Sequence, residues 1–199
     1  MDVASEKEVV DYFRKQGKTV VTFCGYSGLG YEEPEEMLRH AREILKQYDP
    51  KKTIVNCGAM SIGIGQIYEL AKSHGFSTSG IVSSLAKESP RDISPHVDVI
   101  FFVKDETWGG ILKDADRLSP TSQAMVSSTD VMIGIGGGEV ARDEMVAAKK
   151  LGKSVRFIPA DVNHKNAIER ARKRNQAVPT DFRGAAHEAF GDKSSETTK

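Results

Sequence analysis

Apolar positions along this chain gather into six short runs, and the stretches between them have helical spacing. That alternation predicts an α/β fold: a three-layer, Rossmann-like domain with a mainly parallel sheet. A leading helix is predicted from Ser5 to Gln16, with Ser5 and Glu8 at capping-box spacing and Val9, Tyr12 and Phe13 on one face. Thr19 to Phe23 forms the first strand and runs into Gly25, Gly28 and Gly30. Pro34 opens a helix with a stripe of Met37, Ala41, Ile44, Leu45 and Tyr48. Ile54 and Val55 centre the second strand, and Ile64, Ile67, Tyr68 and Ala71 share a face of the next helix. Phe76 to Ser84 is a third strand of mixed polarity, and Ser83 to Pro95 is a polar loop. Val97 to Val103 is the fourth and most apolar strand.

Lys104 to Ser119, with Trp108, Gly109 and Gly110, predicts a loop and a helical turn, and a helix follows through Ala124 and Met125. The stretch Ser128 to Lys153 organises the rest. Val131, Met132, Ile133 and Ile135 form a strand, Gly136 to Gly138 turn the chain, and a helix ends at Gly152 before the run Val155 to Ile158. Strand, glycine turn, helix, strand is a parallel βαβ unit, and ligands bind where such glycines meet the helix start. A last helix is predicted from about Asn163 to Arg174, then a short turn or helix between Val178 and Phe190. The organisation expected is an N-terminal helix in 1–17, one domain over 18–190, and a disordered tail over 191–199 that has nothing to bury.

Composition narrows the function classes. At 199 residues the chain supports one full core, and 28 basic side chains balance 28 acidic ones. Balanced charge gives no electrostatic reason to expect nucleic acid as a partner. Cys24 and Cys57 fit no zinc or disulfide spacing and read as buried free thiols. No apolar stretch reaches 18 residues, so a cytoplasmic protein with no membrane partner is expected. The five histidines show no metal-ligand spacing, and neither a metal nor a cofactor is expected.

The candidate chemistry lies at three glycine-rich turns that follow three strands. In a parallel sheet they share one edge, where backbone and helix N–H groups can approach a phosphate. Candidate ligand contacts are Gly25, Ser27, Gly28, Gly58, Met60, Gly63, Gly136, Gly137, Gly138 and Glu139. A P-loop is excluded because Gly63-Ile-Gly-Gln offers no lysine. A dinucleotide site is disfavoured because the first turn is GxxGxG and the second strand ends in Asn56 instead of an acid. Glu144 and Arg142, on the helix after the third turn, are the candidate catalytic residues; a surface pairing with Lys149 is the plainer alternative for the acid. Trp108 reads either as a mobile lid or as a surface-loop anchor. The basic run Arg170 to Arg174 reads as a solvated helix end, and Asp98 and Asp130 as structural acids at strand entrances.

Asn56 to Gln66, the helix ending at His74-Gly75, the strand end Gly80-Ile-Val, and Met125 with Ser128 to Glu144 together resemble the LOG-like, or "lysine decarboxylase-like", Rossmann family. The family motif is proline, two glycines, a variable residue, glycine-threonine, two variable residues and glutamate. Gly137 and Gly138 match the glycine pair, Glu144 matches the glutamate, Gly136 replaces the proline, and Val140-Ala141 replace glycine-threonine. The family's arginine-lysine pair has no counterpart in Thr121 to Ala124; the nearest arginine is Arg117. The resemblance implies a homodimeric N-glycosidase that splits a nucleoside 5′-monophosphate into base and ribose 5-phosphate, with Glu144 as the acting carboxylate. A non-catalytic nucleotide sensor or homo-oligomeric regulatory protein of the same superfamily is the alternative.

Overall fold

The computed structural model describes residues 3–191. Its strands are β1 (Thr19–Gly25), β2 (Thr53–Cys57), β3 (Ser77–Ser83), β4 (Val99–Val103), β5 (Val131–Ile135) and β6 (Ser154–Ile158). The helices are α1 (Glu6–Gln16), α2 (Pro34–Leu45), α3 (Ile67–Ser73), α4 (Pro120–Ser128), α5 (Glu139–Lys150), α6 (His164–Lys173) and α7 (Gly184–Phe190). The six strands are all parallel, in the order β4-β3-β2-β1-β5-β6. The expected three-layer α/β fold is the fold observed. Residues 192–199, most of the stretch expected to be disordered, lie outside the described residues.

Strand alternation sorts side chains onto two cores. Val21, Phe23 and Val55 face α2, α3 and α6, while Val20, Cys24 and Ile54 face α1, α4 and α5. Full burial of each such side chain contributes on the order of 1.5–3 kcal/mol. Polar strand positions are matched across the register instead of being exposed. Asn56 Nδ2 donates to Thr22 Oγ1 at 3.2 Å, and Ser79 Oγ donates to Asn56 Oδ1 at 3.0 Å. Asn56 therefore ties three strands together and accounts for Ser79 in the third, while Thr78 and Ser83 donate to the His96 and Asp105 carbonyls.

The most apolar strand lies at an edge. Its Phe101 packs on α1, whose Tyr12 and Phe13 rings sit 5.0 and 5.8 Å away, and the Ala4 N–H donates to the Phe102 carbonyl at 2.8 Å. Ser5 and Glu8 form the expected capping box, and Pro34 occupies the first turn of α2. Acids close the strand entrances: Asp130 accepts the Val20 N–H and Asp98 the Thr78 N–H, both at 2.8 Å. The chain leaves β1 toward β2 on one side and leaves β5 toward β6 on the other. That divergence makes the carboxyl ends of β1 and β5 the switch point, where a parallel sheet opens a crevice.

Candidate functional site

A cavity of about 370 Å³ opens above the carboxyl ends of β1, β2 and β3 beside this switch point. Phe23, Cys24 and Cys57 come from the strand ends, Met60 and Ile64 from the turn after β2, and Met125 from α4. The first turns of α5 supply Val140, Ala141 and Glu144, because residues 140 and 144 stack on one stripe of the helix. Most of this lining is apolar, so its few polar groups determine what the cavity accepts.

Glu144 is 5% exposed. Ser122 Oγ donates to its Oε1 at 2.6 Å, and no hydrogen bond among the described residues engages Oε2. Burial raises the carboxyl to about 7; the Ser122 hydroxyl pulls the other way and neighbouring Asp143 adds to the rise. A group near 7 is populated in both protonation states at neutral pH, which suits acid–base work.

The loop carrying Trp108 is fastened onto α4 and α5. Gly110 N–H donates to Ser122 Oγ at 2.8 Å, and Ile111 N–H donates to Asp143 Oδ2 at 2.9 Å. Asp105 holds the loop's root, accepting from Thr107 N–H at 2.8 Å and from Thr121 N–H at 2.9 Å. Gly109 packs so closely that a Cβ there would lie 2.9 Å from Ser122 Oγ and from Val140. Trp108 lines the cavity and is 57% exposed. Its ring thus stands at the rim, on a loop tied to the same serine that bonds Glu144.

Of the residues expected from sequence, the cavity brings together Gly25, Ser27, Gly58, Met60 and Glu144. Gly28, Gly63, Gly136, Gly137, Gly138, Glu139 and Arg142 are not in its lining. Arg142 lies against Asp143, its Nε donating to Oδ1 at 2.9 Å. Glu139 is exposed. Packing alone accounts for several glycines. A Cβ on Gly136 would meet the Tyr26 ring at 2.5 Å, and one on Gly137 would meet the Ala141 methyl at 2.6 Å. Gly58 differs, since it lines the cavity and faces open space.

Sequence reasoning did not assign Cys24, Cys57, Thr121, Ser122, Met125 or Arg170 to a site. Burial pushes the Cys57 thiol up to about 12 and the Cys24 thiol well above its ordinary value, so both stay neutral and unreactive. Ser122 had no sequence signal, because its partner lies 22 residues away on another helix. The basic helix end is exposed at Arg170, Arg172 and Arg174 alike, but Arg170 also lines the cavity, which a solvated helix end does not anticipate. Among the described residues, no cluster of three or more His, Cys, Asp or Glu is arranged to hold a metal ion. No helix among them is long and apolar enough to cross a membrane.

No family model matches the sequence, and no curated protein matches it. Solved structures do match the fold. A molybdenum cofactor (Moco) carrier protein from Chlamydomonas reinhardtii is 23% identical with a TM-score of 0.51, over 71% of this chain and 76% of that one. A molybdenum cofactor binding protein from the phototrophic bacterium Rippkaea orientalis is 19% identical with a TM-score of 0.54, over 81% of this chain and 87% of that one. The chain shares their fold.

Proposed function

We propose that the cavity binds a nucleoside 5′-monophosphate and that Glu144 acts on it, making the chain a nucleotide N-glycosidase that yields base and ribose 5-phosphate. One observation supports this most: a single carboxyl group on the wall of a largely apolar cavity at the switch point of a parallel sheet. When the bond from C1′ to the base nitrogen breaks, the electron pair leaves with the base and positive charge builds on the ribose. A carboxylate beside it stabilises that charge and takes a proton from the water that adds to C1′; a proton returns to the base. Glu144 must be ionised for this role, so turnover should rise with pH through about 7. The motif match at Gly137, Gly138 and Glu144 supports the same role. Homodimer formation and a cytoplasmic setting belong to this reading through the resemblance and the composition.

A second reading, binding without turnover, is favoured by the pairing of Arg142 with Asp143 and by the methyl groups of Val140 and Ala141 where the motif has glycine-threonine. Binding of a small ligand without turnover, as the Chlamydomonas carrier protein's description implies for that protein, is the form it would take. A thermal-shift screen against nucleosides, their 5′-monophosphates and ribose 5-phosphate tests both, since a ligand that binds the folded state raises its apparent stability. Stabilisation by a monophosphate with base release that Glu144→Gln abolishes supports the glycosidase. Stabilisation with no base released at any protein concentration supports the second reading. No shift at millimolar ligand overturns nucleotide binding in either form.

A further inference from the structure

Among the described residues, Arg170 is the only lysine or arginine in the lining of the cavity, reaching it from the last turns of α6. It makes no ion pair among the described residues, whereas Arg14, Arg39 and Arg142 each do. Thr121, a second polar residue of the lining, is 4% exposed and is held by Asp105, whose carboxylate accepts its N–H at 2.9 Å. The remaining ionisable acid of the lining is Glu144.

This arrangement sets the polarity of whatever enters. An anionic group set beside Glu144 would meet a carboxyl group that cannot ionise without repulsion. The glycine turn at the start of α5 offers little compensation. The Gly137 carbonyl accepts the Ala186 N–H at 3.0 Å, neither Gly136 nor Gly137 lines the cavity, and the exposed carboxylate of Glu139 enters the first helical turn. The guanidinium of Arg170 provides planar, paired donors that fit a phosphate or carboxylate bidentately. A volume of about 370 Å³ lies within the roughly 300–1,000 Å³ of small-molecule sites.

We infer that Arg170, and not the glycine turn, is the anion-binding residue of the cavity, so that a phosphorylated ligand lies with its phosphate at α6 and its uncharged end toward Thr121 and Glu144. The inference rests on reading this cavity as a nucleotide site and deepens it by fixing the ligand's direction and the residue that selects for the phosphate.

The test compares the four common ribonucleoside 5′-monophosphates with their nucleosides, by calorimetry on the full chain and on Arg170→Ala. Because Arg170 is exposed and makes no ion pair among the described residues, the variant should melt as the wild type does. The wild type should bind a monophosphate at least about tenfold more tightly than its nucleoside. Arg170→Ala should remove that preference while leaving nucleoside affinity unchanged, Arg170→Lys should restore part of it, and Arg174→Ala should keep it whole. If Arg170→Ala keeps the phosphate preference, the assignment falls and the nucleotide reading stands. If the wild type binds nucleosides without preferring phosphate, the anion site falls alone. If the wild type binds none of these compounds, both fall.

Discussion

Ser122 and Glu144 meet across the contact of α4 with α5, the serine hydroxyl donating to the carboxyl oxygen over 2.6 Å. The same serine oxygen accepts the Gly110 N–H at 2.8 Å. One hydroxyl thus joins the acid of the cavity wall to the loop that carries Trp108. A hydroxyl has a single hydrogen to give, so the link is strongest when Glu144 is ionised and can only accept.

Glu144→Gln should stabilise the protein in a pH-dependent way. Burial raises the Glu144 carboxyl from an ordinary value of 4.5 to about 7. Between those values the folded state keeps a proton that the unfolded chain has released. Wild-type stability should therefore be fully present below about 4.5, fall by roughly 3 kcal/mol as pH rises to about 7, and then level off. The variant lacks this slope, so urea denaturation should find the two proteins similar at pH 4.5 and the variant more stable at pH 8. Parallel curves across that range would contradict a raised Glu144. A stability gain on removing a candidate catalytic group is the pattern expected of a functional site.

Ser122→Ala should loosen the loop and raise the Glu144 carboxyl further. The substitution leaves the Gly110 N–H and Glu144 Oε1 without a partner in a buried setting, at a cost of about 1–3 kcal/mol. Hydrogen exchange at Gly110 should quicken more than at Ile111, whose N–H still donates to Asp143. Equal acceleration at both amides would mean that the whole segment opens as a unit and that the serine is not its fastening.

The layers of this fold were legible because local and tertiary signals agree. Ser5 with Glu8, Pro34 and the Val131–Ile135 run each specify an element on their own, and the alternation of such elements specifies a parallel sheet. The candidate cavity was legible only where chemistry and motif coincide, as at Glu144, Gly58 and the turn after β1, which all line it. Arg142 and Glu144 stand two apart and point different ways, one to Asp143 and one to the cavity; a helix turns about 200° over two residues. Thr121, Ser122 and Arg170 reach the site through tertiary packing of helices far apart in sequence, and no short-range spacing encodes that. The glycines misdirect for the opposite reason, since a residue required by crowding and one required by a ligand look the same in sequence.

Gly25→Ala and Gly138→Ala should separate a glycine that crowding requires from one that it does not. A Cβ on Gly25 would overlap the Tyr31 hydroxyl and lie 2.7 Å from the Ile135 carbonyl oxygen. That hydroxyl donates to Ile135 O at 2.7 Å and accepts the Tyr26 N–H at 3.2 Å, so it cannot yield without breaking both bonds. The loss should be at least about 3 kcal/mol in chemical denaturation. Gly138 is the N-cap of α5, with φ −86° and nothing within 4 Å of a Cβ, so Gly138→Ala should cost only the roughly 0.5–1.5 kcal/mol by which alanine is the poorer cap. Similar losses in the two variants would refute packing as the reason for Gly25.

Trp108 is the chain's single tryptophan and sits at the cavity rim, 57% exposed, so its fluorescence reports on that one place. A base entering the cavity can stack on the indole, a contact worth about 1–3 kcal/mol per base. Titration with the monophosphate that best stabilises the protein should therefore give a saturable change in emission, with a midpoint equal to the calorimetric dissociation constant. Arg170→Ala should move that midpoint to higher concentration without altering the final spectrum, because it removes the phosphate contact and leaves the base where it was. Trp108→Phe should lose the signal but keep most of the affinity, whereas Trp108→Ala should weaken binding about 5- to 150-fold, the equivalent of that stacking contribution. Calorimetric binding with unchanged emission would put the base elsewhere in the cavity, leaving Trp108 as a surface anchor of its loop.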